Sequence, residues 1–206
     1  ASGGSGRWFW ELYSRLGRDY IVAANEMTNA ELFDSNAPMA IHRLPLYSPQ
    51  WGVASLQGLK FYWQSFKALK RLVKEQDISY IHCGRVLPEG LMAWMLNKTM
   101  GIPYLCYVHG EDLEASALSR ELNSLTKLVM RSADKIICNS HNSANIVSRV
   151  DDSVNDKVTV MHPGADTKKF YPVENKDNDF LSAMGWDGKR VILTVGRLQA
   201  RKGQDK

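Results

Sequence analysis

The sequence predicts an α/β fold: a Rossmann-like parallel sheet with helices on both faces. Short apolar runs rich in β-branched residues alternate with stretches of helical periodicity along most of the chain. The apolar runs lack the polar alternation of a half-solvated strand, so both faces are expected to be buried, as in a parallel sheet. Strands are expected at residues 20–24, 39–44, 78–83, 103–109, 135–139, 157–162 and 190–195. Helices are expected near residues 7–16, 54–75, 88–99, 114–132 and 141–149.

The two ends of the sequence indicate a piece of a two-domain protein. The chain opens on a glycine turn that runs straight into a helix, whereas a doubly wound sheet places its first strand before that turn. We therefore expect the first strand to be missing. We also expect an N-terminal domain over residues 1–172, a polar and turn-rich linker over 173–189, and only the beginning of a second domain over 190–206.

The composition is that of a globular protein. Of the 206 residues, 44% are hydrophobic and 23% charged, which excludes disordered and fibrous classes. No uninterrupted apolar run is long enough to cross a bilayer and the N-terminus lacks signal-peptide order, so a cytoplasmic location is predicted. Cys83, Cys106 and Cys138 are odd in number and lie in or at the end of apolar runs, so they are expected to be buried thiols.

The positive charge is concentrated in one predicted helix, residues 54–75. The net charge of +4 is too small to indicate a nucleic-acid-binding protein. At about 100° per residue, one side of this helix carries an apolar stripe, Leu59, Tyr62, Phe66, Leu69 and Val73. The opposite side carries the cations Lys60, Lys67, Arg71 and Lys74. Two interpretations stay open: a solvated outer face, or contact with an anionic membrane surface.

A glycine-rich turn, GGSG at residues 3–6, precedes the first predicted helix. At a strand-to-helix turn, Gly3 and Gly4 would let backbone N–H groups approach an anion closely, and the helix dipole would add to the attraction. The alternative is that GGSG is an engineered linker.

A histidine ends the predicted strand 103–109, in the segment VHGED. Ligands of open α/β sheets collect at the carboxyl ends of strands, so His109 is expected to face the crevice, although a structural role stays open. Glu111 and Asp112 are expected either to contact substrate or to cap the next helix.

A basic loop, GRLQARKG, follows the last predicted strand. The guanidinium of Arg197 and the ammonium of Lys202 suit a diphosphate, and the alternative is a solvated basic turn. Asp177 and Asp179 form a D-x-D pattern, but no strand precedes it and we interpret it as linker. The sequence contains no zinc-site spacing and no common hydrolase motif.

Four segments, in order, resemble the N-terminal half of a family 4 retaining glycosyltransferase of the GT-B fold. GGSGRWFWELYSRLGRDYIV is similar to the family's opening, with Asp19 in place of the usual histidine. ADKIICNSHNSANIV resembles its A-D-x-I-I-x-x-S strand. VTVMHPGADTKKFYP resembles its V-x-N-G-V-D passage, with His162 and Pro163 replacing the asparagine. VILTVGRLQARKGQD resembles the first strand and loop of the donor domain.

The resemblance implies two Rossmann-like domains that face each other across a cleft. It implies that Gly3 and Gly4 approach the donor phosphates, that His109 is catalytic beside the transferred sugar, and that Arg197 and Lys202 hold the diphosphate. The implied partners are a nucleotide-diphosphate sugar and a glycan or lipid-linked acceptor, and no metal or other cofactor is implied. The family's E-x7-E motif would follow Lys206, so the chain is expected to be incomplete for catalysis. A nucleotide-sugar epimerase of similar architecture and a non-catalytic binding module remain as alternatives.

Overall fold

A computed structural model describes residues 4–17, 19–48, 50–172, 177–196 and 203. The chain divides into two compact units, Ala1–Gly164 and Ala165–Lys206. The domain limits expected from the sequence stay a prediction.

Six strands and eight α-helices form within the described residues. The strands are β1 (Ile21–Asn25), β2 (Ala40–Leu44), β3 (Ile81–Cys83), β4 (Tyr104–Val108), β5 (Lys135–Cys138) and β6 (Val158–Val160). The helices are α1 (Gly4–Tyr13), α2 (Glu31–Ser35), α3 (Leu56–Glu75), α4 (Leu91–Met100), α5 (Glu111–Ala117), α6 (Arg120–Ser132), α7 (His141–Val150) and α8 (Asn178–Ala183). Short helical turns lie at Val86–Gly90 and Asp152–Lys157.

All strand pairs within the described residues are parallel. β1 and β2 form a two-stranded sheet, and the other four strands form a sheet in the order β3-β4-β5-β6. Because these four strands run in the same direction, their carboxyl ends share one edge of the sheet. The predicted α/β class with parallel sheets flanked by helices is confirmed.

Side chains of β4 alternate between two helical layers. Tyr104 points to one face, where its hydroxyl donates to the Val129 carbonyl of α6 at 2.8 Å. Tyr107 points to the opposite face, where its ring meets Trp8 and Phe9 of α1 at centroid distances of 5.4 and 4.8 Å. The period of two along a strand therefore gives β4 a helix on each face.

The three cysteines are buried and reduced, as predicted. In the sheet register, Cys83 of β3 lies opposite Cys106 of β4, and Cys138 of β5 lies opposite Val108 of β4. Burial raises the pKa of the Cys138 thiol to about 12, so it stays protonated at neutral pH.

The buried face of α3 differs from the predicted stripe. Leu59 was expected to be inside but is 54% exposed, whereas Gly58 and Ser65 are buried. A Cβ on Gly58 would lie 2.1 Å from the carbonyl oxygen of Gly52, and the Ser65 hydroxyl donates to the Pro45 carbonyl at 2.7 Å. Two small residues therefore let the helix approach the neighbouring backbone, and this rotates the buried face away from Leu59.

Two predicted elements need correction. The single helix expected at 114–132 is two helices, because Ser119 is extended and its hydroxyl accepts from the Leu122 N–H at the start of α6. The strand expected at 190–195 does not form, and Ile192 is 90% exposed. A strand needs a neighbour to bond its backbone N–H and C=O groups, and none of the described strands lies beside this segment.

The polar stretch expected to be linker contains α8. The Asp177 carboxylate accepts from the Phe180 N–H at 2.9 Å and so caps the first turn of this helix. Residues 173–176 of the stretch lie outside the described residues.

Adding one methyl group at Gly90 tests the packing between β4 and α6. A Cβ there would lie 2.7 Å from Val129 Cγ1 and 3.0 Å from Cys106 Sγ. Overpacking costs about 1–3 kcal/mol, while replacing a helical glycine by alanine gains about 0.5–1 kcal/mol, so Gly90→Ala should lower the free energy of unfolding by about 1 kcal/mol. Urea denaturation measures this change. Gly164→Ala is the control, because nothing lies within 4 Å of its Cβ position; an equal effect of both substitutions would contradict the packing described.

The ion pair between Asp34 and Arg43 makes stability depend on pH. Arg43 donates from Nε and Nη2 to the two carboxylate oxygens at 2.8 and 2.6 Å. Hydrogen bonding to Arg43 lowers the pKa of Asp34 below its usual value. A lowered folded-state pKa means that the pair stabilises the fold above the unfolded pKa, about 3.9, and loses this effect as pH falls through the folded value.

Asp34→Asn should therefore destabilise the protein at pH 7, and its difference from the unmodified protein should shrink below about pH 4. Denaturation at several pH values measures it. The matched control is Asp156→Asn at an exposed position. A difference that stays constant down to pH 2–3 would refute the role of the carboxylate.

Candidate active site

The carboxyl edge of the four-stranded sheet is the candidate site. Each of the four strands is directly followed by one residue at this edge: Gly84, His109, Asn139 and Met161. Open α/β sheets bind ligands outside this edge. We therefore describe the site from the side chains that these four loops carry.

His109 follows β4 and has a defined tautomer. Its Nε2 lies 3.0 Å from the carbonyl oxygen of Gly84. Because a carbonyl can only accept, Nε2 carries the proton. In the neutral imidazole, Nδ1 is then unprotonated and can accept a hydrogen bond from a ligand.

Two aromatic rings of α1 hold the His109 ring in place. Trp8 and Phe9 meet it edge-on, at centroid distances of 5.7 and 5.5 Å. Trp8 is buried and His109 is half-buried. The sequence pattern did not single out these two residues. The usable signal was the run of aromatic residues directly after the glycine turn.

A tyrosine anchors α1 to the sheet. The Tyr13 hydroxyl lies 2.6 Å from Nδ1 of His82 and 3.2 Å from the Tyr107 hydroxyl. Burial raises the pKa of Tyr13, so the phenol stays protonated and can donate. Since Trp8 and Phe9 lie on the same helix, this anchor also fixes their rings against His109.

Asp112 fixes the loop that carries His109. One carboxylate oxygen accepts from the His109 backbone N–H at 3.2 Å, and the residue is only 6% exposed. Burial raises the pKa of Asp112, and neighbouring backbone N–H groups and His109 oppose this shift. Gly110 between them has φ +94°, a conformation that side-chain-bearing residues rarely adopt. The contacts seen for Asp112 are thus those of a positioning group, while Glu111 is an exposed residue at the start of α5.

The loops after β5 and β6 bring polar side chains to the same edge. The Asn139 amide oxygen accepts from the Ser143 hydroxyl at 2.6 Å, and the Ser140 hydroxyl accepts from the Ser143 N–H at the start of α7. His141 and His162 are exposed, with ring centroids 5.4 Å apart. The segments after β5 and β6 therefore present histidines to solvent at the same edge of the sheet as His109.

The remaining predicted residues fall in three groups. Gly4 is the exposed first residue of α1, with nothing within 4 Å of its Cβ position, so the backbone there is open to a ligand. Gly3, Arg197 and Lys202 lie outside the described residues. The four cations of α3 that the sequence indicated as membrane-facing are exposed and lie on that helix: Lys60, Lys67, Arg71 and Lys74. Within the described ranges, no three His, Cys, Asp or Glu side chains are grouped as metal ligands. Direct contact of Glu111 or Asp112 with substrate stays a prediction.

Two characterised proteins are similar to the chain in sequence. The GDP-mannose-dependent alpha-(1-6)-phosphatidylinositol monomannoside mannosyltransferase of Mycolicibacterium smegmatis is 24% identical over 188 residues, which cover 80% of this chain and 47% of that protein. The mannosylfructose-phosphate synthase of Agrobacterium fabrum is 26% identical over 145 residues, 70% of this chain and 30% of that protein. The chain thus spans less than half the length of these relatives.

A solved structure shares the fold. The Anabaena protein Alr3699/HepE in complex with UDP-glucose superposes with a TM-score of 0.74 at 14% identity, over 100% of this chain and 52% of that one. The same protein in complex with UDP gives a TM-score of 0.68 at 13% identity, over 90% of this chain and 47% of that one. The family model for Glycosyltransferase Family 4 matches residues 2–169, most of the chain. The chain therefore belongs to glycosyltransferase family 4.

Proposed function

We propose that the whole protein transfers a sugar, with retention of configuration, from a nucleotide-diphosphate sugar to a glycan or lipid-linked acceptor. In this proposal the unit Ala1–Gly164 is the acceptor-side domain. The observation that carries it is the position of His109 at the carboxyl edge of the sheet, where the Gly84 carbonyl contacts Nε2 and the rings of Trp8 and Phe9 hold the imidazole. Family membership and the similarity to a fold solved with UDP-glucose support the choice of donor class.

His109 contributes as a hydrogen-bond acceptor. Cleavage of the bond between sugar and diphosphate gives the sugar oxocarbenium character and leaves negative charge on the diphosphate. Unprotonated Nδ1 would accept from a sugar hydroxyl and orient the ring, while the fixed Gly84 carbonyl keeps the tautomer. The leaving group would be stabilised by the N-terminus of α1 at Gly4 and by Arg197 and Lys202, with no requirement for a divalent metal.

Two other functions make different predictions. A nucleotide-sugar epimerase would convert the donor without an acceptor, and a binding module would hold the donor without turnover. The GRLQARKG loop favours the transferase, because its Arg197 and Lys202 suit a leaving diphosphate. Incubating the full-length protein with nucleotide sugars, with and without glycan acceptors, separates the three functions by their products.

Replacing His109 by alanine tests the site. In the full-length enzyme, His109→Ala should lower kcat by about a hundredfold or more, because a positioned polar group that acts in the transition state contributes on this scale. The fold should persist, since the ring is only half-buried. His42→Ala on β2 is a matched control away from this edge. Unchanged turnover in a folded His109→Ala enzyme would remove His109 from the mechanism.

We further propose that the enzyme works in the cytoplasm as a peripheral protein on the inner face of the membrane. Successive residues of a helix are rotated by about 100° around its axis, and on this basis five exposed residues of α3 lie within about 60° of one another around the helix. They are Leu56, Lys60, Trp63, Lys67 and Lys74. Leu56 is 87% exposed and Trp63 58%, and the Lys67 ammonium lies 5.8 Å from the centroid of the Trp63 ring.

This mixture of lysines with exposed leucine and tryptophan suits an anionic lipid interface, where each cation contributes up to about 1 kcal/mol. Arg71 contributes less than the lysines, because it pairs with Glu75 at 2.6 Å. No helix in the described part of the chain is both long enough and apolar enough to span a bilayer.

Vesicle co-sedimentation tests the membrane contact. The full-length protein should pellet with vesicles that contain phosphatidylglycerol and not with pure phosphatidylcholine, and rising salt should weaken binding. Changing Lys60, Lys67, Arg71 and Lys74 together to Gln should abolish binding, and Trp63→Ala alone should reduce it. Changing four other exposed cations to Gln, Lys98, Arg120, Arg149 and Lys168, removes the same charge and is the control. Equal pelleting of the quadruple variant would refute the contact.

A further inference from the structure

Arg85 is a cation at the candidate active site that the sequence motifs did not indicate. It directly follows Gly84, the residue whose carbonyl accepts from His109 Nε2. Consecutive Cα atoms lie about 3.8 Å apart, so the Arg85 backbone is next to the contact that fixes His109. We propose that Arg85 binds an anionic group, a phosphate or a carboxylate, on the acceptor. This inference rests on the proposed function, because it names the class of acceptor for the same site.

The guanidinium is held in place before any ligand arrives. Its Nε and Nη2 both donate to Oε1 of Glu89, at 3.2 and 2.7 Å. Its central carbon lies 5.6 Å from the centroid of the Trp51 ring. The backbone carbonyl of Trp51 accepts from the hydroxyl of buried Tyr62 at 2.6 Å, which ties this aromatic platform to α3. A guanidinium ordered in this way loses little side-chain entropy on binding an anion.

Most of the hydrogen-bonding capacity of Arg85 stays available. A guanidinium has five N–H donors, and Glu89 takes two of them. Among the described residues, no acceptor is recorded for the other three, and the side chain is 43% exposed. Three donors in one plane match the two or three oxygens of a carboxylate or phosphate.

The alternative is a purely structural ion pair. Arg85 and Glu89 are four residues apart across the turn Val86–Gly90, and an exposed pair with this spacing contributes little to stability. Pairing with Glu89 also offsets part of the positive charge, so an anion would be held by directed hydrogen bonds more than by net charge. The structural alternative predicts no anion binding, and this difference can be measured.

The acceptor is favoured over the donor as the source of the anion. Arg85 belongs to the unit Ala1–Gly164, which is the acceptor-side domain of the proposed function. The donor diphosphate already has Arg197 and Lys202 assigned to it there. The experiment therefore fills the donor site before the anion is added.

The test measures binding of inorganic phosphate and of glycerol 3-phosphate to the full-length protein, with glycerol as the uncharged comparison. Calorimetry is done with saturating UDP or GDP, whichever binds, so that the donor site is occupied. The unmodified protein should bind both phosphates and not glycerol. Arg85→Gln should weaken this binding at least tenfold, and Arg149→Gln, at an exposed position on α7, should leave it unchanged.

Two further measurements make every outcome decisive. Arg85→Lys keeps the charge and the pairing with Glu89 but loses the planar fork, so it should bind phosphate at least threefold more weakly even if Arg85→Gln does not fold. Slow transfer of the donor sugar to water is measured in the unmodified protein as a separate check on the proposed function, because that reaction needs no acceptor. Equal phosphate binding by the Arg85 variants overturns the proposal, and so does a parallel loss of nucleotide affinity, which would identify the donor as the ligand. Absence of donor hydrolysis in the unmodified protein would instead count against the proposed function.

Discussion

The alternation of side chains along β4 is the constraint on which the rest of the unit depends. Tyr104 on one face reaches Val129 of α6, and Tyr107 on the other meets the rings of α1. Helices pack on both faces of β4, as they do in a parallel sheet. His109, the residue after the strand, then lies at the edge of the sheet, beside the rings of Trp8 and Phe9 on α1.

Each part of the site comes from a different segment of the chain. Gly84 follows β3, Trp8 and Phe9 lie on α1, and Asp112 lies on α5, yet all four contact His109. The contacts act on different parts of the residue: two rings flank the imidazole, a carbonyl sets its tautomer, and a carboxylate holds its backbone N–H. Preorganisation of this kind reduces the reorganisation that a ligand would otherwise have to drive.

The outer surface of α3 follows from how closely its inner surface packs. Gly58 and Ser65 lie against the backbone of neighbouring loops, so the helix is turned with Leu56 and Trp63 outward beside the lysines. The same helix supplies Tyr62, which fixes the carbonyl of Trp51 beneath Arg85. One helix thus links the exposed basic surface to the loop beside the candidate active site.

Local patterns in the sequence were sufficient for the fold class and for part of the site. The apolar runs identified β1 to β6, the cysteines were correctly expected to be buried, and the position of His109 after a strand followed from the end of an apolar run. These features depend on residues two to four positions apart, whose periodicity is written directly in the chain. Capping by Asp177 and the break at Ser119 are also local, but a single polar residue is a weak signal within a long pattern.

Only the tertiary structure decided which distant residues meet. The contact of Trp8 with His109 joins residues about a hundred positions apart. The position of the Trp51 ring beside Arg85 depends on the hydrogen bond from Tyr62 of α3 to the Trp51 carbonyl in the loop after β2. Neighbouring segments also decided two further features. Leu59 is exposed because the backbone of α3 approaches a neighbouring loop closely, and residues 190–195 do not form a strand because no described strand lies beside them. Periodicity fixes which way a side chain points along its own element, whereas the order of strands and the distance between helices depend on packing energies summed over the whole unit.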